Sequence, residues 1–417
     1  MIILRVLSFL LFAFSASTTI KPISGWGQLV LFIPKLFSGS FITIFATLGL
    51  LTAFFGWFAF KDIVSFIFGA GAFIIATRHI YRIVKHSLDL SRILPVAKSN
   101  QFRKVMLPYP WIVFSPENVD FKWQQDVPVG KHVETGDEIL ADIWSPSDTT
   151  NQSGLGIIYL HGSGWHYAHK DFGTRHFFRH LVGLGHVIVD VAYTLVPKTD
   201  MFGMIADIKR AIGWIKSHSR ELGIDPNRIV LMGGSAGGHL ALLAGYTPNH
   251  PQLDPKDLNC DTSVCGVVSY YGPPDLIAQF NQFNKLPELT RKTKLERVFM
   301  SYLKSRFGFE PIPVSRLLPQ FLGGTPSQVP DLYALGSISN HIGKQCPPTL
   351  LLQGLHDFSG AAPEVHKLYK ALGEVGRTVF LLELDDTEHG FDLHRPQWSP
   401  AAQAATYTTE RFLAQLS

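Results

Sequence analysis

Apolar positions along the first eighty residues come in long runs. Residues 1–17 (MIILRVLSFLLFAFSAS) carry a single charge, Arg5, and residues 41–60 (FITIFATLGLLTAFFGWFAF) carry none. Twenty such residues in a helix span a bilayer. A shorter run, 63–77 (IVSFIFGAGAFIIAT), follows after only Lys61 and Asp62, and its pattern leaves open a third span, a re-entrant piece or the continuation of one tilted helix. The first run also resembles a signal peptide, with small residues around Ala16 in the position of a cleavage region. Residues 1–80 therefore read as membrane-anchoring. Residues 81–118 read as a basic juxtamembrane linker, rich in Pro and polar breaks after position 95.

From about residue 119 the rhythm changes. Short apolar runs at 139–144, 156–161, 186–193, 228–232, 263–271, 349–354 and 378–384 alternate with helical patterns such as 201–218, where Ile205, Ile208, Ala211, Ile212 and Ile215 share a face. Strand alternating with helix predicts a mostly parallel sheet covered on both faces, with sites at the carboxyl ends of its strands. Residues 119–417 read as this one α/β domain. Within it, residues 277–342 interrupt the alternation with a basic helical stretch and Pro-rich text. An insertion there reads as a cap or lid, or else as an interaction surface.

Composition narrows the function classes. A formal charge of +4, with no basic patch interleaved with aromatics, gives no footprint for nucleic acid. The three cysteines, Cys260, Cys265 and Cys346, form no metal-ligand spacing and no disulfide framework, although a Cys260–Cys265 bridge remains open. No metal or organic cofactor is expected. Arg78, Arg82, Lys85, Arg92, Lys98, Arg103 and Lys104 outnumber Asp89 after the last apolar run. That bias predicts an integral membrane protein, endomembrane and endoplasmic-reticulum-like, whose α/β domain faces the cytosol. One sequon, Asn151-Gln152-Ser153, would carry sugar on Asn151 only if the domain faced the lumen.

Candidate chemistry centres on Gly233-Gly234-Ser235-Ala236-Gly237, set between the apolar run RIVLM and a helical LALL pattern. A serine on a strand-to-helix turn needs small neighbours, and G-x-S-x-G in that context exposes the hydroxyl as a nucleophile elbow. The Ala236 N–H, at a helix start, suits an oxyanion. Such a turn is often only a turn, so the order of three further features carries the reading. Asp357 follows the run TLLLQ, and His389 follows the last predicted strand in DDTEHGF. Ser235, Asp357, His389 is the chain order of an α/β-hydrolase triad. Asp357 could instead cap the helix beginning near Ala361, with Glu388 or Asp385 orienting His389. His161-Gly162-Ser163-Gly164-Trp165, directly after the run IIYL, would supply oxyanion N–H groups from Gly162 and Ser163, with His161 bracing the loop.

HGSGW at 161–165, VDVAYTLVP at 189–197, ADIKRAIGWIKSH at 206–218 and GIDPNRIVLMGGSAGGHLALL at 223–243 together resemble the hormone-sensitive-lipase-like branch of the α/β-hydrolases, near the kynurenine-formamidase-like and feruloyl-esterase-like carboxylesterases. The resemblance covers roughly residues 135–415. It implies an α/β-hydrolase fold, a Ser235/Asp357/His389 triad and an oxyanion hole of Gly162, Ser163 and Ala236. Ser163 departs from the glycine of many members, and its hydroxyl could alter the acyl pocket. The implied activity is hydrolysis of a small-molecule ester, and the anchor suggests an apolar one that partitions into membrane lipid. An amide or formamide substrate, acyl transfer or cyclisation on the same site, and a non-catalytic membrane scaffold are the competing readings.

Overall fold

The structure, a computed structural model, describes residues 1–21, 26–94, 120–286, 301, 312–394, 396 and 398–416. The chain divides into two compact units. One gathers Met1–Ser115 with Leu352–Ala362 and Leu381–Gln415, the other Pro116–Leu351 with Pro363–Phe380 and Leu416–Ser417. Two late stretches of sequence thus belong with the N-terminal residues, and both carry candidate site residues.

Among the described residues, the N-terminal part of the first unit holds four helices, α1 (Ile2–Thr19), α2 (Trp26–Ser40), α3 (Ile42–Phe54, continued by a π-turn Phe55–Ala59) and α4 (Ile63–Ile93). Three segments, Ile2–Thr19, Ile42–Ala59 and Ile63–Leu90, are long and apolar enough to cross a membrane. Their faces are arranged inside out. Ile3, Phe9, Leu51, Phe54, Phe58, Ile67 and Ile74 are exposed, whereas Ser8, Ser15, Thr52, Ser65, Ala72 and Ala76 are buried. Small residues at the seams let the backbones approach, as in helices packed within lipid. The third apolar run is a helix of its own and not a continuation of the second. It folds back along α3, with Gly49 opposite Gly69 and Gly56 opposite Phe66. Arg5 reaches the intervening turn and holds Asp62 at 2.9 Å.

Two boundaries differ from expectation. Residues 81–93, expected in the linker, continue α4, because Ile83, Ser87 and Leu90 keep a buried helical stripe. The remainder of that linker, 95–118, lies outside the described residues. Helix α2 falls in a stretch that the hydrophobic pattern does not single out, because Gly27, Pro34, Lys35 and Gly39 interrupt its apolar positions.

The second unit carries most of an eight-stranded sheet of order β1-β2-β4-β3-β5-β6-β7-β8. The strands are β1 (Phe121–Lys131), β2 (Glu138–Pro146), β3 (Gly156–Leu160), β4 (Val187–Ala192), β5 (Ile229–Gly234), β6 (Gly266–Tyr270), β7 (Thr349–Gly354) and β8 (Val379–Leu384). β7 and β8 start in this unit and end in the first. β1 and β2 pair antiparallel, as do β2 and β4, while β4, β3, β5 and β6 run parallel. Strands β3 and β5 are buried at every position, as their unbroken apolar sequences require of strands covered on both faces. The run 263–271 becomes a strand only from Gly266. All three cysteines are free, so the Cys260–Cys265 bridge does not form.

The expected insertion lies between β6 and β7. Its described parts include a helix at Leu276–Phe283 and short helices at Leu317–Leu322 and Pro330–Gly336. Of the basic stretch 286–307, only Leu286 and Ser301 are described.

Candidate active site

The candidate residues fall into two sets, one in each unit. In the second unit, Ser235 sits between β5 and the helix Ala236–Tyr246 with φ 56° and ψ −120°, and its side chain does not cap that helix. A non-glycine residue at such angles costs about 1–3 kcal/mol and persists only where its surroundings impose it. Here they do. The Ser235 N–H donates to the Tyr270 carbonyl at 2.8 Å, and its own carbonyl accepts from the His239 N–H at 2.9 Å. A Cβ on Gly237 would lie 2.0 Å from the Leu160 carbonyl oxygen and 2.6 Å from that of His161. Helix and β3 therefore approach more closely than any other residue allows. Ala236 is the first residue of an 11-residue helix, so its N–H lies at the positive end of the helix dipole.

The loop after β3 runs against this turn. A Cβ on Gly162 would meet the Gly234 carbonyl oxygen at 2.9 Å and the Ser235 Cβ at 3.3 Å. Ser163, Gly164 and Trp165 all have positive φ, at 92°, 67° and 65°. Two neighbours pin the loop's carbonyls. His161 Nδ1–H donates to the Gly162 carbonyl at 2.9 Å, and the Tyr193 hydroxyl donates to the His161 carbonyl at 2.7 Å. In a trans peptide the N–H points opposite the C=O. The Ser163 and Gly162 N–H groups are thereby turned away from His161 and Tyr193. Burial pushes the His161 imidazole down to about 4, so it is neutral, and its ring stacks on Tyr193 at 4.5 Å. The Ser163 hydroxyl donates to the Tyr167 carbonyl and is thus engaged within the loop itself. From the insertion, Phe321 stacks on Trp165 at 4.9 Å and Gln320 meets His166 at 3.0 Å. The described part of the expected cap therefore packs on this loop.

In the first unit, Asp357 and His389 are brought together. Asp357 Oδ2 accepts from His389 Nδ1–H at 2.8 Å and from the Gln353 amide at 3.0 Å, and Oδ1 accepts from the Ser359 N–H at 2.7 Å. The helix that Asp357 could have capped begins only at Ala362. Burial pushes the Asp357 carboxyl up, but the charge and hydrogen bond of His389, with the Ser359 and Gln353 donors, outweigh it and hold the group below its ordinary value. For His389 burial favours the neutral ring, yet Asp357, Glu388 and Asp392 outweigh it and raise the imidazole above its usual value. The two other acids weighed for this role are engaged by cationic or imidazole side chains of the N-terminal helices. Glu388 pairs with Lys35 at 2.7 Å, and Asp385 lies 3.2 Å from His86 and 3.8 Å from Arg82. His356 turns from the pair to meet the Thr18 carbonyl at 2.9 Å. Asn151 ends a 3₁₀ turn, Thr149–Asn151, after β2.

The family model BD-FAE matches residues 141–372, more than half of the chain. The chain belongs to the BD-FAE family. The BD-FAE match includes Gly162, Ser163, Ser235, Ala236 and Asp357, and His389 lies beyond its end. Among curated relatives, the probable carboxylic ester hydrolase LipM of Mycobacterium tuberculosis is 28% identical over 299 residues, 71% of this chain and 62% of LipM. Esterase LipQ of the same organism is 28% identical over 64% of this chain and 57% of its own length. The isoprenylcysteine alpha-carbonyl methylesterase ICME of Arabidopsis thaliana is 24% identical over 60% of this chain and 53% of ICME. The chain thus spans little more than half the length of these relatives. The propionate-bound esterase Est2 of Thermogutta terrifontis superposes with a TM-score of 0.51 at 21% identity, over 73% of this chain and 96% of Est2. The fold is that of the α/β-hydrolases, a mostly parallel sheet flanked by helices.

Sequence reasoning missed Tyr193, Gln353 and Lys35. Tyr193 lies in the run HVIVDVAY, where it reads as one more apolar strand residue. Gly237→Ala should destabilise the folded protein by about 1–3 kcal/mol or more through overpacking. Gly373→Ala, at a helical position with open space around it, should be neutral or slightly stabilising. Thermal denaturation of the two full-length variants in detergent separates these outcomes.

Proposed function

We propose that the chain is a membrane-anchored serine hydrolase that cleaves a carboxylic ester, of an apolar or lipid-like compound, through an acyl-enzyme. One observation carries the reading: a serine, not a glycine, occupies the left-handed backbone position at the strand-to-helix turn. Backbone strain of this kind is kept where the side chain is needed. The relatives named as ester hydrolases support the reaction class.

In this reading Ser235 Oγ attacks the ester carbonyl and His389 Nε2 takes its proton, then returns it to the leaving alcohol. Asp357 fixes the tautomer by accepting from Nδ1–H and stabilises the imidazolium. The N–H groups of Gly162, Ser163 and Ala236 receive the oxyanion, and water releases the acid. An apolar substrate is supported by the aromatic surroundings of the base: Phe358 lies edge-on to His389 at 5.3 Å, and Phe32 lies against Phe358 at 4.7 Å. The charge distribution along the helices supports a cytosolic domain. Thr18, Lys35 and Arg82 meet the loops that carry Asp357 and His389, so those loops lie at the end of the helices near Lys21, Arg78, Arg82 and Lys85. The opposite end has Arg5 and Lys61 beside Asp62. More positive charge at one end favours the cytosol there, and an endomembrane is the setting proposed.

Two outcomes follow. Ser235→Ala should lower kcat for p-nitrophenyl butyrate by about 10⁴- to 10⁶-fold while the protein stays folded, and a variant that retains wild-type turnover refutes the nucleophile. The imidazole must be neutral to accept the proton, so kcat/KM should fall with acidification through a midpoint above about 6.5, the ordinary histidine value. Asp357→Asn should move that midpoint down and cut kcat about 10⁴-fold. A pH–rate profile of both proteins checks the direction.

A further inference from the structure

Glu388 immediately precedes the base, and its carboxylate joins two loops. Oε2 accepts from the Phe358 N–H at 3.0 Å and lies 3.4 Å from the His389 N–H. Phe358 is the residue after Asp357, so one oxygen ties the chain next to the acid to the base itself. Oε1 is held by Lys35 Nζ at 2.7 Å, with both side chains only 3% exposed. Lys35 comes from α2, in the apolar N-terminal segment and 353 positions away in sequence. One turn earlier on the same helix, Phe32 packs on Phe358, whose ring meets His389.

A buried ion pair is a weak source of stability, because desolvating two charges cancels most of their attraction. Removing one partner is another matter, since it strands the other charge in an apolar site. Such a pair is explained by what it positions. We propose that Glu388 and Lys35 are positioning residues: Glu388 clamps the acid loop to the base loop, and Lys35 is its buried counter-ion. The apolar N-terminal segment is then part of the catalytic apparatus and not only a tether. This rests on Asp357 and His389 being the catalytic acid and base.

The groups facing the clamp set the sign of its effect. Lys35 and Asp357 face Glu388, and Asp357, Glu388 and Asp392 face His389. Burial pushes the Glu388 carboxyl up and Lys35 opposes this, while the charge of Glu388 favours the protonated form of His389. Glu388→Gln should therefore move the acid limb of kcat/KM to lower pH.

The test measures p-nitrophenyl butyrate hydrolysis against pH for full-length wild type, Lys35→Met, Glu388→Gln and the double variant, with Ser235→Ala alongside. Lys35→Met should lose about 100-fold in kcat, the cost of misplacing a catalytic group by an ångström, with KM changed by less than about threefold. The double variant has no stranded charge, and the neutral amide that replaces the Glu388 carboxylate keeps a carbonyl able to accept both N–H groups, so its kcat should exceed that of Lys35→Met. Where Lys35→Met does not fold, the Glu388→Gln limb and the double variant carry the test. A Glu388→Gln limb that stays at the wild-type position, or a double variant no better than Lys35→Met, overturns the clamp. An inactive wild type overturns the enzymatic reading and the clamp with it, whereas an active, Ser235-dependent wild type with unmoved variants overturns the clamp alone.

Discussion

The backbone at Ser235 is the constraint around which the rest of the second unit is arranged. With φ 56° and ψ −120°, the residue has a conformation that costs free energy wherever the neighbours do not impose it. The imposition comes from β3 and β6. The Tyr270 carbonyl receives the Ser235 N–H, and the carbonyls of Leu160 and His161 occupy the space that a Cβ on Gly237 would fill. The turn can be this tight only because β3 and β5 are parallel neighbours in register, with Leu160 opposite Gly233. That same register brings the Gly162 loop beside the serine. The tight turn at Ser235 and the loop at Gly162 are thus brought together by one strand pairing.

Charge burial plays the corresponding part in the first unit. Asp357, Glu388 and Lys35 are all nearly inaccessible, and each is matched: Asp357 by His389, Gln353 and the Ser359 N–H, Glu388 by Lys35 and the Phe358 N–H. An unpaired buried charge costs several kcal/mol, so these groups fix one another's positions as well as neutralise one another. The matching draws on α2 and, through the Thr18 carbonyl that meets His356, on the end of α1. Helices whose outer faces are apolar thereby carry polar groups at the end that meets the loops.

The legible parts of the sequence were those with local causes. The run TLLLQG coincides with β7, because a strand buried on both sides is largely apolar. The elbow and the loop at Gly162 were legible for a similar reason, since close backbone approach restricts residues to Gly, Ser and Ala. Strand β1 was not legible. It lies at the edge of the sheet, alternates exposed and half-buried positions, contains Pro128, and departs from regular register with β2 at two places. Nor was the partnership of Lys35 with Glu388, because neither residue has a neighbour in sequence that hints at the other. Pro34 and the flanking glycines hid α2 from any hydrophobic pattern, yet it is the helix that touches the loops carrying Asp357 and His389. What sequence reading left out, in each instance, was decided by contacts between distant segments.

An activated serine is the claim on which this account stands. Its most direct test is intact-mass measurement of the full-length protein after treatment with paraoxon, followed by peptide mapping of the adduct. A single diethylphosphoryl group on Ser235 is expected, formed more slowly as the pH falls through the His389 midpoint. An unmodified, folded protein, or an adduct on another serine, would contradict it.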